Sequence, residues 1–411
     1  MSSQSKIDIL TRVEGHGSVE LIRDGGRVVD ACLHLSESPR LFEALLVGRR
    51  FDEIPDIACR ICSICSTVHK VAALQAVEQV MGIVVSRQTG LLRELAVQGG
   101  QIESHALHIF CLVLPDYLGV NGIQQLATVE PETLKMGLKI KRLGNLIQEI
   151  IGGRAIHPFN LMVGGVGKVP EASQLQSMGD GLAAVRQDVA ASISFVFGLD
   201  DVLPPLAMLP YCVVSGGPPL FGDRLTTSAA TTIFASSAVA WLNESVELHT
   251  HAKVSRFRET TPYFVGPLAR LAASMPSEYA AHFTGSSIRS SLKARIIELQ
   301  QAVERAQVLI KQLLDNGLKK EMPVMAVPAQ GEGVSLMEAP RGVLLHNYCF
   351  DNRGVCRAAN IITPTAINQA AIKIALKELV AAMDGAGYDQ IKAAAEILVR
   401  CYDPCISCAV H

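Results

Sequence analysis

The stretch RICSICSTVH, residues 60–69, contains two cysteines in a C-x-x-C loop that is followed by a histidine. A second pair of the same kind lies in DPCISCAVH, residues 403–411. Such a loop directs two thiolates to one point, so two loops together can form a metal site with four sulfur ligands. Because about 340 residues separate the pairs, the chain must fold as a whole to bring them together. The four candidate ligands are Cys62, Cys65, Cys405 and Cys408.

Two classes of protein fit four cysteines in this pattern. One is a non-catalytic scaffold stabilised by structural zinc, and the other is an enzyme with a buried metal centre. Thiolate sulfur binds soft and borderline metals, a range that includes nickel and iron as well as zinc. Ligands drawn from two distant segments favour the enzyme, since a small zinc ribbon takes its ligands from one short module. The spacing alone leaves both classes open.

The composition indicates a subunit that buries much of its surface against partners. Of 411 residues, 49% are hydrophobic and only 18% charged, and the mean hydropathy is +0.28. A net charge of −2 gives no indication of nucleic acid or of an anionic membrane surface as a partner. The uncharged stretch 202–222 contains five prolines, so we expect no membrane-spanning helix there. An obligate subunit with a large interface explains the apolar composition best.

The compartment is expected to be reducing. Residues 1–8 are polar and short, which predicts no signal peptide. Of the eleven cysteines, seven are scattered along an apolar chain, as is typical of reduced core cysteines. We therefore expect a cytoplasmic protein.

The pattern along the chain predicts a mainly α fold with a small antiparallel β element near the N-terminus. Residues 5–36 alternate loosely around a turn at Asp24-Gly25-Gly26, which is typical of a β-hairpin. Helical spacing dominates from residue 39 onward, with helices expected at 131–151, 171–198, 225–252, 287–315 and 367–383 and loops at 152–170, 203–222 and 323–342. We predict one domain, 1–411, with a helical core over about 39–400 and a metal-binding segment at 401–411.

The two cysteine motifs resemble those of the large subunit of nickel–iron hydrogenases. The resemblance extends along most of the chain, except roughly 170–330. Ser63, where the family usually has glycine, and residues 39–44 are similar to the soluble NAD(P)-linked branch. The other matching segments are Thr11–His16, Ser104–His108, Gly152–Pro158, Glu338–Gly342 and Ile361–Thr365.

The resemblance implies a nickel–iron centre held by the four cysteines. All four sulfurs would bind nickel, and Cys65 and Cys408 would also bind iron, whose remaining ligands in this family are carbonyl and cyanide. Pro364 and Thr365 would contact the cyanide, which needs hydrogen-bond donors in an apolar pocket. Arg341 would stand over the open coordination position, with Asp403 holding it.

The resemblance also implies a proton acceptor and a second metal site. Glu14 would take a proton from the sulfur of Cys405 after dihydrogen is split. The carboxylate of Glu43, the carbonyl of Ile361 and the C-terminal His411 would bind magnesium or iron near the centre. His69, His105 and His108 are either core residues or supports of the metal ligands, and the sequence favours neither.

Electrons must leave this chain through another subunit. The sequence contains no G-x-G-x-x-G fingerprint and no further cysteine cluster of iron–sulfur type. The resemblance implies an iron–sulfur small subunit as obligate partner. It also implies flavin- and NAD(P)-binding diaphorase subunits. The sequence leaves a deazaflavin, a ferredoxin or a heterodisulfide open as alternative acceptors.

Overall fold

The computed structural model describes residues 4–247, 250–258, 262–283 and 287–411. Fifteen α-helices occur within these ranges. Every one of them is too short or too polar to cross a lipid bilayer. The helices are α1 (Phe42–Leu46), α2 (Ile54–Ala58), α3 (Ser66–Val80), α4 (Arg87–Leu107), α5 (Leu114–Tyr117), α6 (Ile123–Val129), α7 (Pro131–Gly152), α8 (Ala172–Ala184), α9 (Arg186–Phe197), α10 (Ala235–Trp241), α11 (Pro267–Ala273), α12 (Ser291–Asn316), α13 (Pro364–Ala382), α14 (Tyr388–Tyr402) and α15 (Ile406–Ala409).

The strands of the described residues form small antiparallel sheets. The sheet orders are β1-β2-β3, β14-β13-β12-β7 and β6-β8-β9, and the remaining strands form the pairs β4-β5 and β10-β11. The strands are β1 (Gln4–Ile9), β2 (Gly17–Asp24), β3 (Arg27–Leu35), β4 (Leu161–Met162), β5 (Gly165–Val166), β6 (Cys212–Ser215), β7 (Phe221–Gly222), β8 (Arg224–Thr227), β9 (Thr232–Phe234), β10 (Leu242–Val246), β11 (Lys253–Phe257), β12 (Gly331–Ala339), β13 (Gly342–Phe350) and β14 (Cys356–Ile362).

Four of the helices form the largest part of the core. Helix α4 packs against α3, α7 and α12, and their apolar faces share one cluster that also contains the four cysteines. The hydroxyl of Ser86 accepts a hydrogen bond from the Thr89 N–H and caps the start of α4. Close approach of α4 and α7 requires Gly144, since an added Cβ would lie 2.5 Å from the backbone nitrogen of Glu103. This tight packing makes the helices a rigid frame for the centre.

The N-terminal sheet packs against the C-terminal helices. Strand β3 contacts α13 and α14, and a second apolar cluster joins this sheet to α13, α14 and α15. The turn between Asp24 and Arg27 confirms the predicted hairpin. By this packing the N-terminus lies beside the C-terminal segment that carries two of the cysteines.

Several predictions of local structure are wrong. The predicted loops at 152–170 and 203–222 contain the short strands β4 to β7. The segment 225–252, predicted as a helix, contains β8, β9 and β10 with only α10 between them. The predicted loop at 323–342 contains β12, which with β13 and β14 forms the largest sheet of the described residues. The core over 39–400 is therefore not purely helical, because this sheet is inserted between α12 and α13.

Candidate metal centre

The four motif cysteines come together in the interior. Their sulfur atoms all lie within 4.8 Å of one another, and each side chain is at most 5% exposed. The Sγ atoms of Cys62 and Cys405 are 3.4 Å apart, and those of Cys65 and Cys408 are 3.3 Å apart. Each close pair thus joins one end of the chain to the other.

The local backbone geometry directs all four thiols towards one point. Cys62 is extended after a 3-10 turn, Cys59–Ile61, and Cys65 immediately precedes α3. Cys405 precedes the short helix α15, which contains Cys408. The first motif therefore ends where α3 begins, and the second motif spans the start of α15.

One arginine joins the two cysteine segments. The guanidinium of Arg40 donates to the backbone carbonyls of Ile61 and Ser407, each adjacent to a cysteine. Its backbone N–H also donates to the Val410 carbonyl, at 2.8 Å. Hydrogen bonds from a charged donor are stronger than neutral ones, so Arg40 fixes the relative position of the loops.

The pKa values of the buried cysteines shift in different directions. Burial disfavours the thiolate of Cys62, but hydrogen bonds from the neighbouring cysteines outweigh it and lower its pKa well below the ordinary value. The hydrogen bond with Cys405 raises the pKa of Cys65, and burial raises that of Cys408. Four adjacent thiolates repel one another, so the set is fully ionised only when a cation balances the charge.

Glu14 is joined to the second cysteine loop by its backbone and by its side chain. Its carbonyl accepts from the Ile406 N–H at 3.1 Å, and its carboxylate accepts from the N–H and hydroxyl of Ser407. Burial, followed by the charge of Cys405, raises the pKa of Glu14 from 4.5 to about 8. The predicted proton acceptor therefore lies beside the predicted proton donor.

Arg341 and Asp403 form a buried pair. Arg341 Nε donates to the Asp403 carbonyl at 2.9 Å, and a terminal nitrogen donates to Oδ1 at 3.1 Å. Burial opposes the charged form of Asp403, but the nearby charge of Arg341 contributes most to lowering its pKa. The other terminal nitrogen of Arg341, NH1, is buried and has no hydrogen-bond partner among the residues that the structure describes. It is a free donor at the centre.

Pro364 and Thr365 begin α13 at the same place. The Thr365 hydroxyl accepts a hydrogen bond from the Cys405 N–H at 2.9 Å, which leaves its own proton available for donation. Pro364 occupies the first turn, where a missing N–H costs no helical hydrogen bond.

Glu43, Ile361 and His411 also meet. The Ile361 N–H donates to the Glu43 carboxylate at 2.8 Å, and His411 Nε2 lies 3.7 Å from it. Lys253 forms ion pairs with both Glu43 and Glu244. Burial opposes the charge of Glu43, but the neighbouring His411 and the hydrogen bonds from Lys253 and Ile361 lower its pKa to about 2.

The three undecided histidines have distinct surroundings. His69 Nε2 lies 3.7 Å from Cys408 Sγ, so this ring contacts the cysteine cluster. His105 lies between Arg295 and Glu298, and His108 hydrogen-bonds the Arg400 carbonyl. Burial is the largest cause that lowers the pKa of each, to about 3 for His69 and His108 and about 4 for His105.

Sequence reasoning did not identify three further residues around the centre. Arg295 NH1 lies 3.1 Å from Asp403 Oδ2, and its side chain is 1% exposed. His346 and Tyr348 continue the hydrogen-bonded chain from His69. A charged residue on the apolar face of α12 is a signal for Arg295, while the i, i+2 spacing of His346 and Tyr348 on one face of a strand is a weak signal.

Models of known families match most of the chain. A model described as "Nickel-dependent hydrogenase" matches residues 40–138 and 240–411, together more than half of the sequence. A model described as "HoxL-like" matches residues 5–37.

Individual relatives match over almost their full length. The alpha subunit of sulfhydrogenase 2 from Pyrococcus furiosus is 35% identical over 99% of this chain and 98% of its own. The beta subunit of the NAD-reducing hydrogenase HoxS from Cupriavidus necator is 28% identical over 100% and 95%. Among solved structures, an NAD+-reducing [NiFe]-hydrogenase in the H2-reduced state has a TM-score of 0.87 at 26% identity, covering 100% of both chains.

Proposed function

Because the chain belongs to the nickel-dependent hydrogenase family, we propose that it is a catalytic subunit that interconverts dihydrogen with two protons and two electrons. One observation carries the proposal. Four sulfur atoms from opposite ends of the chain lie within 4.8 Å of one another in the interior, beside a carboxyl group and a guanidinium. A structural zinc site would need the sulfurs but not the surrounding charges.

The residues fit the nickel–iron group that the family implies. All four cysteines would bind nickel, and Cys65 and Cys408 would also bind iron. The unpartnered NH1 of Arg341 and the free hydroxyl proton of Thr365 would donate to acceptor ligands on iron. When bound, the group with its carbonyl and cyanide ligands would supply the redox chemistry and an open coordination position.

Two residues beside the cysteines, Arg341 and Glu14, then have separate roles in the proposed reaction. Arg341, held by Asp403, would place positive charge and a hydrogen-bond donor beside the bound group. Glu14 accepts the proton that arrives on the Cys405 sulfur, and Ser407 keeps the carboxyl group oriented by two hydrogen bonds. Proton transfer through a positioned carboxylate is general base catalysis.

The residues around Glu43 fit a hard cation near the centre. Glu244 Oε1 is buried without a hydrogen-bond partner among the described residues, and His411 Nε2 lies 3.7 Å from the Glu43 carboxylate, beyond hydrogen-bond distance. Two carboxylates and one ammonium leave this cluster with a negative charge when His411 is neutral, and a magnesium or iron ion would balance it. Glu43, His411 and the Ile361 carbonyl are the proposed ligands.

The proposed partner is an iron–sulfur small subunit that binds next to the first cysteine loop. Ser63 and Arg60 are exposed at the tip of this loop. Four large apolar side chains near this loop are 50–63% exposed. Their sequence neighbours Arg40 and His157 hydrogen-bond Ile61 and Ser66, which flank the loop, so the four side chains lie close to it. They are Leu41, Leu45, Ile156 and Phe159.

The branch that reduces NAD(P) is the proposed physiological context. The similarity to the beta subunit of an NAD-reducing hydrogenase and to an NAD+-reducing enzyme structure supports it. Flavin- and NAD(P)-binding diaphorase subunits would complete the complex, in the cytoplasm. Reduction of a deazaflavin, a ferredoxin or a heterodisulfide instead would keep the hydrogenase function but change the branch.

Metal analysis of the purified complex tests the proposed function. We expect one nickel and one centre-associated iron for each copy of this chain, with hydrogen-dependent dye reduction. Because the partners contribute iron, the nickel count is the decisive number. A single zinc in place of nickel, with no activity, would instead support a structural scaffold.

A further inference from the structure

A chain of three buried side chains ends at the sulfur of Cys408. His69 Nε2 lies 3.7 Å from Cys408 Sγ, and His69 Nδ1 lies 3.0 Å from His346 Nε2. His346 Nδ1 in turn lies 2.6 Å from the hydroxyl oxygen of Tyr348. The three side chains come from α3 and β13, and none is more than 1% exposed. The chain is therefore shielded from bulk solvent.

The sulfur at one end fixes the direction of every hydrogen bond in the chain. Neither imidazole forms an ion pair with a carboxylate in the described part of the chain, and a fully buried ring without such a partner is neutral. A neutral imidazole has one donor and one acceptor nitrogen. Two directions are therefore possible, and in each of them all three bonds run the same way.

Only one of these directions is compatible with a metal-bound thiolate. If the donors pointed away from the sulfur, His69 Nε2 would present a lone pair to Cys408, which would then have to be a protonated thiol. Cysteine binds metal as the thiolate, which can only accept. The Tyr348 hydroxyl must then donate to His346 Nδ1, His346 Nε2–H to His69 Nδ1, and His69 Nε2–H to the sulfur.

We propose that His346 and Tyr348 are positioning residues that hold His69 in the Nε2–H tautomer, with its N–H directed at the Cys408 sulfur. The inference rests on the proposed function, in which this sulfur bridges nickel and iron. Hydrogen-bond partners on the far side of a histidine ring set the tautomer and the orientation of that ring. A chain of aligned donors also polarises its last member, so that the final hydrogen bond is stronger than an isolated one.

The expected consequence is electronic. A hydrogen bond to a metal-bound sulfur reduces the electron density that the sulfur donates, which is one way in which proteins tune such centres. Loss of the bond makes the iron more electron-rich, and back-donation then lowers the stretching frequency of a carbonyl on that iron. Residues that only stabilise the fold would leave this frequency unchanged.

Variants of His346 and Tyr348 in the complete complex test the proposal by infrared spectroscopy. His346→Leu cannot donate to His69, whereas His346→Gln, of similar size, has an amide N–H that can. Tyr348→Phe removes only the terminal donor. Tyr117→Phe is the matched control, since it also removes a tyrosine hydrogen bond, to the Arg289 carbonyl, but has no link to the cysteines.

We expect the carbonyl band of His346→Leu to shift to lower frequency, and that of Tyr348→Phe to shift less in the same direction. His346→Gln and Tyr117→Phe should keep the wild-type band. If the His346→Leu variant does not bind metal, the position of the carbonyl band in Tyr348→Phe alone tests the proposal. Wild-type band positions in the loaded Leu and Phe variants would overturn the proposal, whereas absence of carbonyl and cyanide bands from the wild type itself would overturn the proposed function.

Discussion

At the residue scale, the four cysteines of the proposed metal site could be predicted from the sequence, but many of the residues that surround them could not. The four cysteines carry a local signal, because C-x-x-C spacing itself directs two sulfurs to one point. Arg295 carries a weaker signal, a charged residue on the apolar face of α12, and this signal does not indicate its partner. It contacts Asp403 across 108 positions of sequence, and only the packing of α12 brings it there. A buried guanidinium is identified by its environment rather than by its neighbours in the chain.

The cysteines at the proposed bridging positions are the first test at this scale. Replacing Cys65 or Cys408 with serine should abolish nickel binding and activity, since a neutral hydroxyl does not replace a thiolate that binds two metals. Cys111→Ser is the matched control, because Cys111 is also buried but lies outside the cluster, and it should stay close to wild type. Normal nickel content in Cys65→Ser, measured by mass spectrometry, would refute the assignment.

A second residue-scale prediction separates proton transfer from metal assembly. Glu14→Gln keeps the shape and the hydrogen bond from the Ser407 N–H but cannot accept a proton, so hydrogen–deuterium exchange and turnover should fall by about 10²–10⁴. Metal content should not change. Glu37→Gln, which alters a carboxylate beside His16 in the same region, should leave both unchanged. Parallel loss of metal and activity in Glu14→Gln would make Glu14 a structural residue.

At the scale of elements, the N-terminal sheet was predictable and the sheet β12–β14 was not. Alternation and a glycine turn indicated the first. In the second, glycines and prolines at 323–342 indicated a loop, but Gly333 lies inside β12. It is required because an added Cβ would be 2.1 Å from the Ala76 carbonyl oxygen of α3. The sequence does not distinguish a glycine that close packing requires from a glycine that a turn requires.

The joining of the two cysteine segments gives a prediction at this scale. Arg40→Met removes the donor shared by the Ile61 and Ser407 carbonyls, and each such hydrogen bond contributes about 1.5–3 kcal/mol. We expect nickel to be lost to a chelator at least about tenfold faster, since about 1.4 kcal/mol corresponds to that factor. Arg49→Met, at an exposed arginine, is the control. Equal rates of nickel loss would show that Arg40 does not hold the loops.

At the scale of the whole molecule, the proposed obligate interface accounts for both the apolar composition and the exposed apolar residues around the cysteine loop. An interface of this class buries more than about 2,000 Å². The chain purified alone should therefore aggregate or fail to reduce a dye with dihydrogen, while the complex should reduce NAD(P). Size-exclusion chromatography with an activity assay checks both. A monodisperse, fully active single chain would contradict the partner requirement.

The infrared spectrum of the purified complex tests the central claim most directly. Carbonyl and cyanide stretches give sharp bands in a region where protein groups and iron–sulfur clusters do not absorb. The proposed centre predicts both kinds of band, and it predicts that they disappear in Cys65→Ser. A metal-loaded wild-type complex without these bands would contradict the nickel–iron centre, whatever its similarity to known hydrogenases.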